Sequence, residues 1–263
     1  MLKIANYVRA QSLEEAYTLG QKRSSVILGG MLWLKMENRS VQTAIDLCDL
    51  GLDKIEEQED CFSIGAMVSL RALEIHPGLQ ELTQGAMAEA LKHIVGVQFR
   101  NVATIGGSLY GRFGFSDVLT LFQVLDAKVE LYHHGIMEMD DFAKLPRSTR
   151  DLLVRVLVPK GERKVCYLSQ RNTSTDFPVL ACAVSQVGGV YTCAVGARPG
   201  AAVVFTDDEG LLKGGVTGES AEAFGAYVAG QAAFGSNMRG SAEYRKKICA
   251  VLVRRCLMQM EGV

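Results

Sequence analysis

Two glycine pairs, Gly29-Gly30 and Gly106-Gly107, are the residues best placed in this sequence to do chemistry, and the chemistry they suit is anion binding. Each follows a β-prone stretch, Val26-Ile27-Leu28 for the first pair and Phe99 to Ile105 for the second. Glycine at such a point carries no Cβ, so successive backbone N–H groups can close around a phosphate. Two such loops suit a diphosphate. A Gly-Gly after a strand equally serves as a plain tight turn, and the spacing leaves both readings open. Other familiar constellations are missing: there is no G-x-S-x-G elbow, no Walker A lysine loop and no G-x-G-x-x-G. The marks of hydrolases, P-loop ATPases and Rossmann dehydrogenases are therefore absent. His76, His93, His133 and His134 stand in no ligand spacing with one another or with a cysteine, so no metal site is read. No catalytic acid, base or nucleophile is assigned.

The composition narrows the class of partner. The 263 residues carry 28 Lys+Arg against 29 Asp+Glu, a net charge of −1, and 48% are hydrophobic, which suits one large globular domain or two smaller ones. Acidic and basic residues are interleaved, so neither a nucleic acid nor an acidic membrane surface is an expected partner. No apolar run approaches the roughly 18–20 residues that span a bilayer, and Met1 to Tyr7 lacks the apolar segment of a signal peptide. Seven cysteines form an odd set without a C-x-x-C, mostly in apolar surroundings such as Ala181-Cys182-Ala183. They are expected to be reduced core thiols of a cytoplasmic protein.

The elements that must position the glycine pairs come in mixed order, which implies an α/β or α+β fold. Ser12-Leu13-Glu14-Glu15 is a capping box that opens a helix from about Leu13 to Gly20, with Leu13, Ala16 and Tyr17 inward. Strand Val26-Ile27-Leu28 meets the first glycine pair, and Met31 to Met36 reads as a helix start. Thr43–Asp46 and Cys61–Ile64 are strand candidates. A capped helix from Ser69 stops at His76-Pro77, and a longer one follows through Ala86 to Ile94. Phe99 to Ser108 reads as extended chain, and Asp117 as the cap of an apolar helix through Leu125. Lys128–Tyr132 and Ile136–Met139 pair as a hairpin, and Leu152–Val158 is a buried strand. Lys160 to Lys164 reads as a linker. Strands near 165–169, 178–187 and 190–197 follow, with a helix around Ala221–Val228. A last helix is capped by Ser241, with Ile248, Val251, Leu252 and Cys256 inward and Arg245, Lys246, Lys247 and Arg254 outward. Trp33, the only tryptophan, is expected in the core, with stacking on a cofactor as its alternative.

Specificity comes from a resemblance. Ile27-Leu28-Gly29-Gly30, Ile64-Gly65-Ala66, Arg100-Asn101-Val102-Ala103-Thr104-Ile105-Gly106-Gly107-Ser108, Ser116-Asp117-Val118 and Leu125-Asp126-Ala127 occur in this order. Together they resemble the FAD-binding subunit of the molybdenum hydroxylase family, which includes xanthine dehydrogenase and the medium subunit of aerobic carbon monoxide dehydrogenase. Gly196-Ala197-Arg198-Pro199 and Arg239 to Arg245 extend the resemblance over nearly the whole chain.

The resemblance implies an α+β fold: a two-subdomain FAD-binding domain of the PCMH type over 1–160, with subdomains of about 1–53 and 54–160, then a smaller α+β domain over 161–263 like that of the carbon monoxide dehydrogenase flavoprotein. It implies FAD as cofactor. Leu28, Gly29, Gly30, Met31 and Leu32 would cradle the diphosphate through backbone amides, and Thr104, Ile105, Gly106, Gly107 and Ser108 would lie near flavin and diphosphate. Asp117 would accept hydrogen bonds from the adenosine ribose, and Leu152 or Leu153 would lie against a ring. Two departures stand out. Met31-Leu32-Trp33 occupies a place where the family usually carries Thr or Ser and often Asp, and Leu168 follows Tyr167 where a Lys is usual, with Arg171 a candidate cation nearby. The implied activity is electron transfer from an iron–sulfur partner through flavin to NAD or another acceptor. Its implied partners are a molybdopterin-binding subunit and a [2Fe-2S] subunit. Two alternatives stay open: an assembly subunit of such a complex that has lost tight FAD binding, and a stand-alone FAD-dependent NAD(P)H:acceptor reductase.

Overall fold

Local capping sets the first elements. Ser12 Oγ accepts the N–H of Glu15 and Glu15 returns to the N–H of Gln11, so the chain turns into α1 (Leu13–Gly20) directly after β1 (Lys3–Arg9). The fold is a computed structural model, and it describes residues 1–262. Further along come β2 (Ser25–Leu28), β3 (Ser40–Asp46), β4 (Ile55–Glu57), β5 (Cys61–Gly65), α2 (Leu70–Ile75), α3 (Pro77–Leu82), α4 (Ala86–Leu91), α5 (Val97–Val102) and α6 (Ile105–Tyr110). Next are α7 (Asp117–Phe122), β6 (Lys128–Leu131), β7 (Gly135–Glu138), α8 (Met139–Lys144) and β8 (Leu153–Pro159). The chain continues through β9 (Arg163–Gln170), β10 (Leu180–Val187), β11 (Val190–Gly196), β12 (Val203–Thr206), α9 (Gly218–Gln231) and α10 (Ala242–Glu261). This is mixed helix and strand content, as the α+β reading expects. Among the described residues no helix is long and apolar enough to cross a membrane.

The chain packs as two compact units, each discontinuous in sequence. The first holds Met1–Ala72, Val97–Gly111 and Ala127–Lys160. It contains a parallel sheet in the order β1-β3-β2 and an antiparallel sheet in the order β4-β5-β8-β6-β7. Ala10, Ala16, Ile45, Leu47, Leu52, Leu152 and Val154 form one of its cores. A buried carboxylate ties the hairpin turn after β6 to the start of β8: Asp151 accepts the N–H groups of His133, His134 and Leu152 at 3.0, 3.0 and 2.7 Å, and His134 Nδ1 at 2.5 Å.

The second unit takes Leu73–Gly96, Arg112–Asp126 and the chain from Gly161 onward. Its antiparallel sheet runs β12-β11-β10-β9 and packs on α10, which in turn packs on α9. Cys166, Cys182, Cys193, Cys249 and Cys256 lie in that core beside Val184, Phe224, Val228 and Leu252, where a thiol behaves as a small apolar group. All seven cysteines are free, Cys48 being exposed.

Several expectations change. Arg245 does not face solvent with its neighbours in sequence: it is fully buried, and its guanidinium donates to the carbonyls of Val179, Gly235 and Gly240 and to Asn237 Oδ1. Helical period alone places it outward, because it cannot register acceptors supplied by distant turns. The Phe99 to Ser108 stretch is α5 and α6 instead of extended chain, despite its β-branched residues. Tertiary bonds decide it, since the N–H groups of Ile105 and Gly106 go to the carbonyls of Val68 and Ala66 and that of Leu70 to Ala103. Met31 to Met36 keeps only a short 3-10 turn, Leu34–Met36. The helix expected through Ala86 to Ile94 splits into α3 and α4 at Gln84 and Gly85, both at positive φ. The cap of α7 is Ser116, whose hydroxyl accepts the Leu119 N–H, and Asp117 is the first helical residue. Of the expected linker, Arg163 and Lys164 belong to β9, and Arg163 is buried with its guanidinium on the Leu125 carbonyl at 2.7 Å.

Two stability measurements follow from these ties. Arg245→Met leaves three carbonyls without their donor and should cost about 3 kcal/mol in urea unfolding; a cost below about 1 kcal/mol would contradict the role of Arg245 as a tie. Burial raises the Asp151 pKa, but the His134 contact and the backbone N–H groups outweigh it and hold the carboxyl below its ordinary range. Its stabilisation is therefore complete above the unfolded carboxylate value of about 4 and is lost as pH falls through the folded one. Asp151→Asn should flatten the acid limb of a stability–pH curve.

Candidate functional site

The site is built in the first unit by the approach of two glycine segments. β2 ends at Leu28, and the chain turns through Gly29-Gly30 onto the end of α5. A Cβ on Gly30 would stand 2.1 Å from the Val102 carbonyl oxygen, and one on Gly29 would stand 2.7 Å from Thr104 Oγ1. These glycines are there because backbone must touch backbone. The next residue, Met31, takes φ of 57°, a left-handed conformation that a side-chain-bearing residue adopts at a cost.

The two segments dispose of their amides in opposite ways. In the second, the N–H of Ile105 goes to Val68 O, that of Gly106 to Ala66 O, that of Gly107 to Thr104 Oγ1 and that of Ser108 to Thr104 O, at 2.9, 2.8, 3.1 and 3.0 Å. Thr104 is thus the N-cap of α6, and Ser108 Oγ donates to the Thr104 carbonyl at 2.9 Å. In the first segment, the N–H groups of Gly29, Gly30, Met31 and Leu32 donate to nothing among the described residues. They are half-buried. A short row of half-buried, open amides beside a left-handed residue is chemically suited to an oxyanion. Side-chain donors are absent at Met31 and Leu32, so the backbone alone must do the holding.

The other residues singled out in the sequence are placed as follows. Leu28 is buried, Thr104, Ile105 and Gly106 are buried, Gly107 is exposed and Ser108 is intermediate. Leu152 and Leu153 are buried at the start of β8, which packs against α6. Trp33 is not a core residue: it is 48% exposed. Asp117 belongs to the second unit, where Tyr167 donates its hydroxyl to Asp117 Oδ1 and Arg171 Nη2 lies 2.5 Å from the same oxygen. Burial pushes the Asp117 carboxyl up, and the Arg171 guanidinium and the Tyr167 hydroxyl pull it back. The Tyr167 phenol is raised well above its ordinary value, by burial first and then by that carboxylate. Arg171 is therefore committed to Asp117, as well as to Ser169 Oγ and the Asp176 carbonyl. Nothing in the sequence signals this pairing, because its members lie 50 and 54 residues apart.

Known proteins resemble this chain over nearly its whole length. Residues 2–161 match the family model described as the FAD binding domain in molybdopterin dehydrogenase, and residues 166–260 match the CO dehydrogenase flavoprotein C-terminal domain. The nicotine 6-hydroxylase medium subunit of Paenarthrobacter nicotinovorans is 29% identical, with 98% of each chain covered. Among solved structures, a chain of the carbon monoxide dehydrogenase from Hydrogenophaga pseudoflava superposes with a TM-score of 0.86 at 24% identity, covering 98% of this chain and 97% of that one. A chain of reconstituted CO dehydrogenase from Oligotropha carboxidovorans gives 0.85 at 25% identity over 98% and 97%.

The close approach makes a local prediction. Gly30→Ala forces the first loop off the Val102 carbonyl and should lower stability by about 1–3 kcal/mol, measured by denaturant unfolding. An unfolding curve that superposes on the wild type would show that the loop does not sit as tightly as 2.1 Å implies.

Proposed function

This chain belongs to the family of FAD-binding domains of molybdopterin dehydrogenases, and from that premise we propose that it is the electron-transfer subunit of a molybdenum hydroxylase-type oxidoreductase. The observation that carries the reading is the row of open amides from Gly29 to Leu32, a backbone cradle whose chemistry suits the FAD diphosphate. Bound FAD supplies the ability to take up electrons singly and give them up in pairs. The chain's own residues bind and orient. In this reading Leu28 to Leu32 hold the diphosphate, and Gly107, exposed at the first turn of α6, offers a surface without a side chain. Ile105 and Gly106 hold that turn in place through Val68 and Ala66, while the Thr104 and Ser108 hydroxyls line it. Leu152 and Leu153 are assigned to the apolar wall behind a ring.

The proposed path runs from a molybdopterin-binding subunit and a [2Fe-2S] subunit through FAD to NAD or another acceptor. The medium-subunit name of the nicotine 6-hydroxylase relative supports an assembly of this kind. It also explains why the chain needs no acid, base or nucleophile of its own, since substrate chemistry would take place elsewhere. The FAD-binding domain is assigned to 1–160, with subdomains of about 1–53 and 54–160, and the C-terminal domain to 161–263. The place of work is assigned to the cytoplasm, in keeping with seven free thiols.

One spectrum tests this. The purified chain should show the visible bands of oxidised flavin, either as isolated or after incubation with excess FAD. A chain that stays colourless and cannot be reconstituted would make it an assembly subunit, a reading favoured by the lack of side-chain donors at Met31 and Leu32. Gly107→Val adds a branched side chain at an exposed helical position with its Cβ 3.1 Å from Thr104 Oγ1, so it should lower FAD uptake in a chain whose thermal unfolding shows it folded. Normal flavin content in that variant would move the cofactor away from α6.

A further inference from the structure

We propose that Trp33, braced by Phe99, is the stacking wall for one of the two planar rings of FAD; this rests on the diphosphate reading of Gly29 to Leu32 and adds a binding residue to it. Trp33 is the only tryptophan of the chain and is 48% exposed, an unusual position for the largest apolar side chain in a sequence with ample core. It is not loosely placed. Its ring meets Phe99 in an edge-to-face contact with centroids 5.7 Å apart and planes at 63°, and Phe99 is itself half-buried on α5. α5 is also the helix whose last carbonyl receives Gly30, so the loop that opens its amides and the helix that braces the indole are in direct contact. Val102, 49% exposed, adds apolar surface on the same helix.

Trp33 follows directly on the open amides, one residue after Leu32. An anion alone would use the amides and ignore the indole. A water-exposed aromatic pair alone would have no polar feature to orient a ligand. A ligand that joins a diphosphate to a planar ring uses both, and FAD carries such a ring at each end. Stacking there would also supply binding that Met31 and Leu32, without side-chain donors, do not.

The experiment titrates FAD, FMN and ADP into the full-length chain freed of flavin, in the wild type and in Trp33→Ala and Trp33→Phe, with thermal unfolding as the check on folding. FAD should quench the single tryptophan emission of the wild type. Trp33→Ala should weaken FAD about tenfold and Trp33→Phe should recover most of that loss. A loss shared by FMN and spared by ADP identifies the ring as isoalloxazine; the reverse pattern identifies it as adenine. Unchanged FAD affinity in a folded Trp33→Ala, or unquenched emission in a flavin-loaded wild type, overturns the wall and leaves the diphosphate site standing. A wild type that takes up no FAD overturns the site reading, and the wall falls with it.

Discussion

The contact on which the first unit's site depends is that of a loop without side chains against a helix end. Gly30 meets the Val102 carbonyl so closely that no Cβ fits, and Gly29 meets the Thr104 hydroxyl in the same way. Those two close approaches fix where the loop lies, and its amides find no partner among the described residues. A polar backbone left open at such a turn is costly in isolation and useful next to an anion. The φ of 57° at Met31 is a local expense of the same turn.

The second glycine pair has a different task from the first, although the two look alike as residues. Its amides are consumed by Ala66, Val68 and Thr104, so Gly106 serves close packing and Gly107 presents a bare surface. This division leaves the amides of one segment open and those of the other spent.

The second unit is held by polar groups that its apolar core surrounds. Arg245 joins the turn before α10, the loop before β10 and Asn237 from a fully buried position. Asp117 and Arg171 form a buried pair, with Tyr167 on the same oxygen, and removal of one member would strand the other at a cost of about 3–5 kcal/mol. Asp117 therefore has a structural duty within the second unit.

What the sequence determined by itself is whatever depends on near neighbours or on a long ordered set of motifs. The Ser12 box, the Ser241 cap, the β6–β7 hairpin and the apolar runs of β8 to β11 are local, and their elements form as expected. The family was legible from Arg100 to Ser108 together with the segments around it. Tertiary structure decided the rest, for identifiable reasons. β1 is almost wholly exposed and gives no apolar alternation to read, yet it pairs in parallel with β3. Residues 99–108 favour extended chain by type and lie mostly in α5 and α6, where Val68 and Ala66 take the amides of Ile105 and Gly106. Trp33 looks like core among its apolar neighbours and stands half in water, since loop Gly29 to Leu32 turns on α5 and carries it there. Which amides are open and which are spent depends on partners tens of residues away, and only the folded chain brings those partners together.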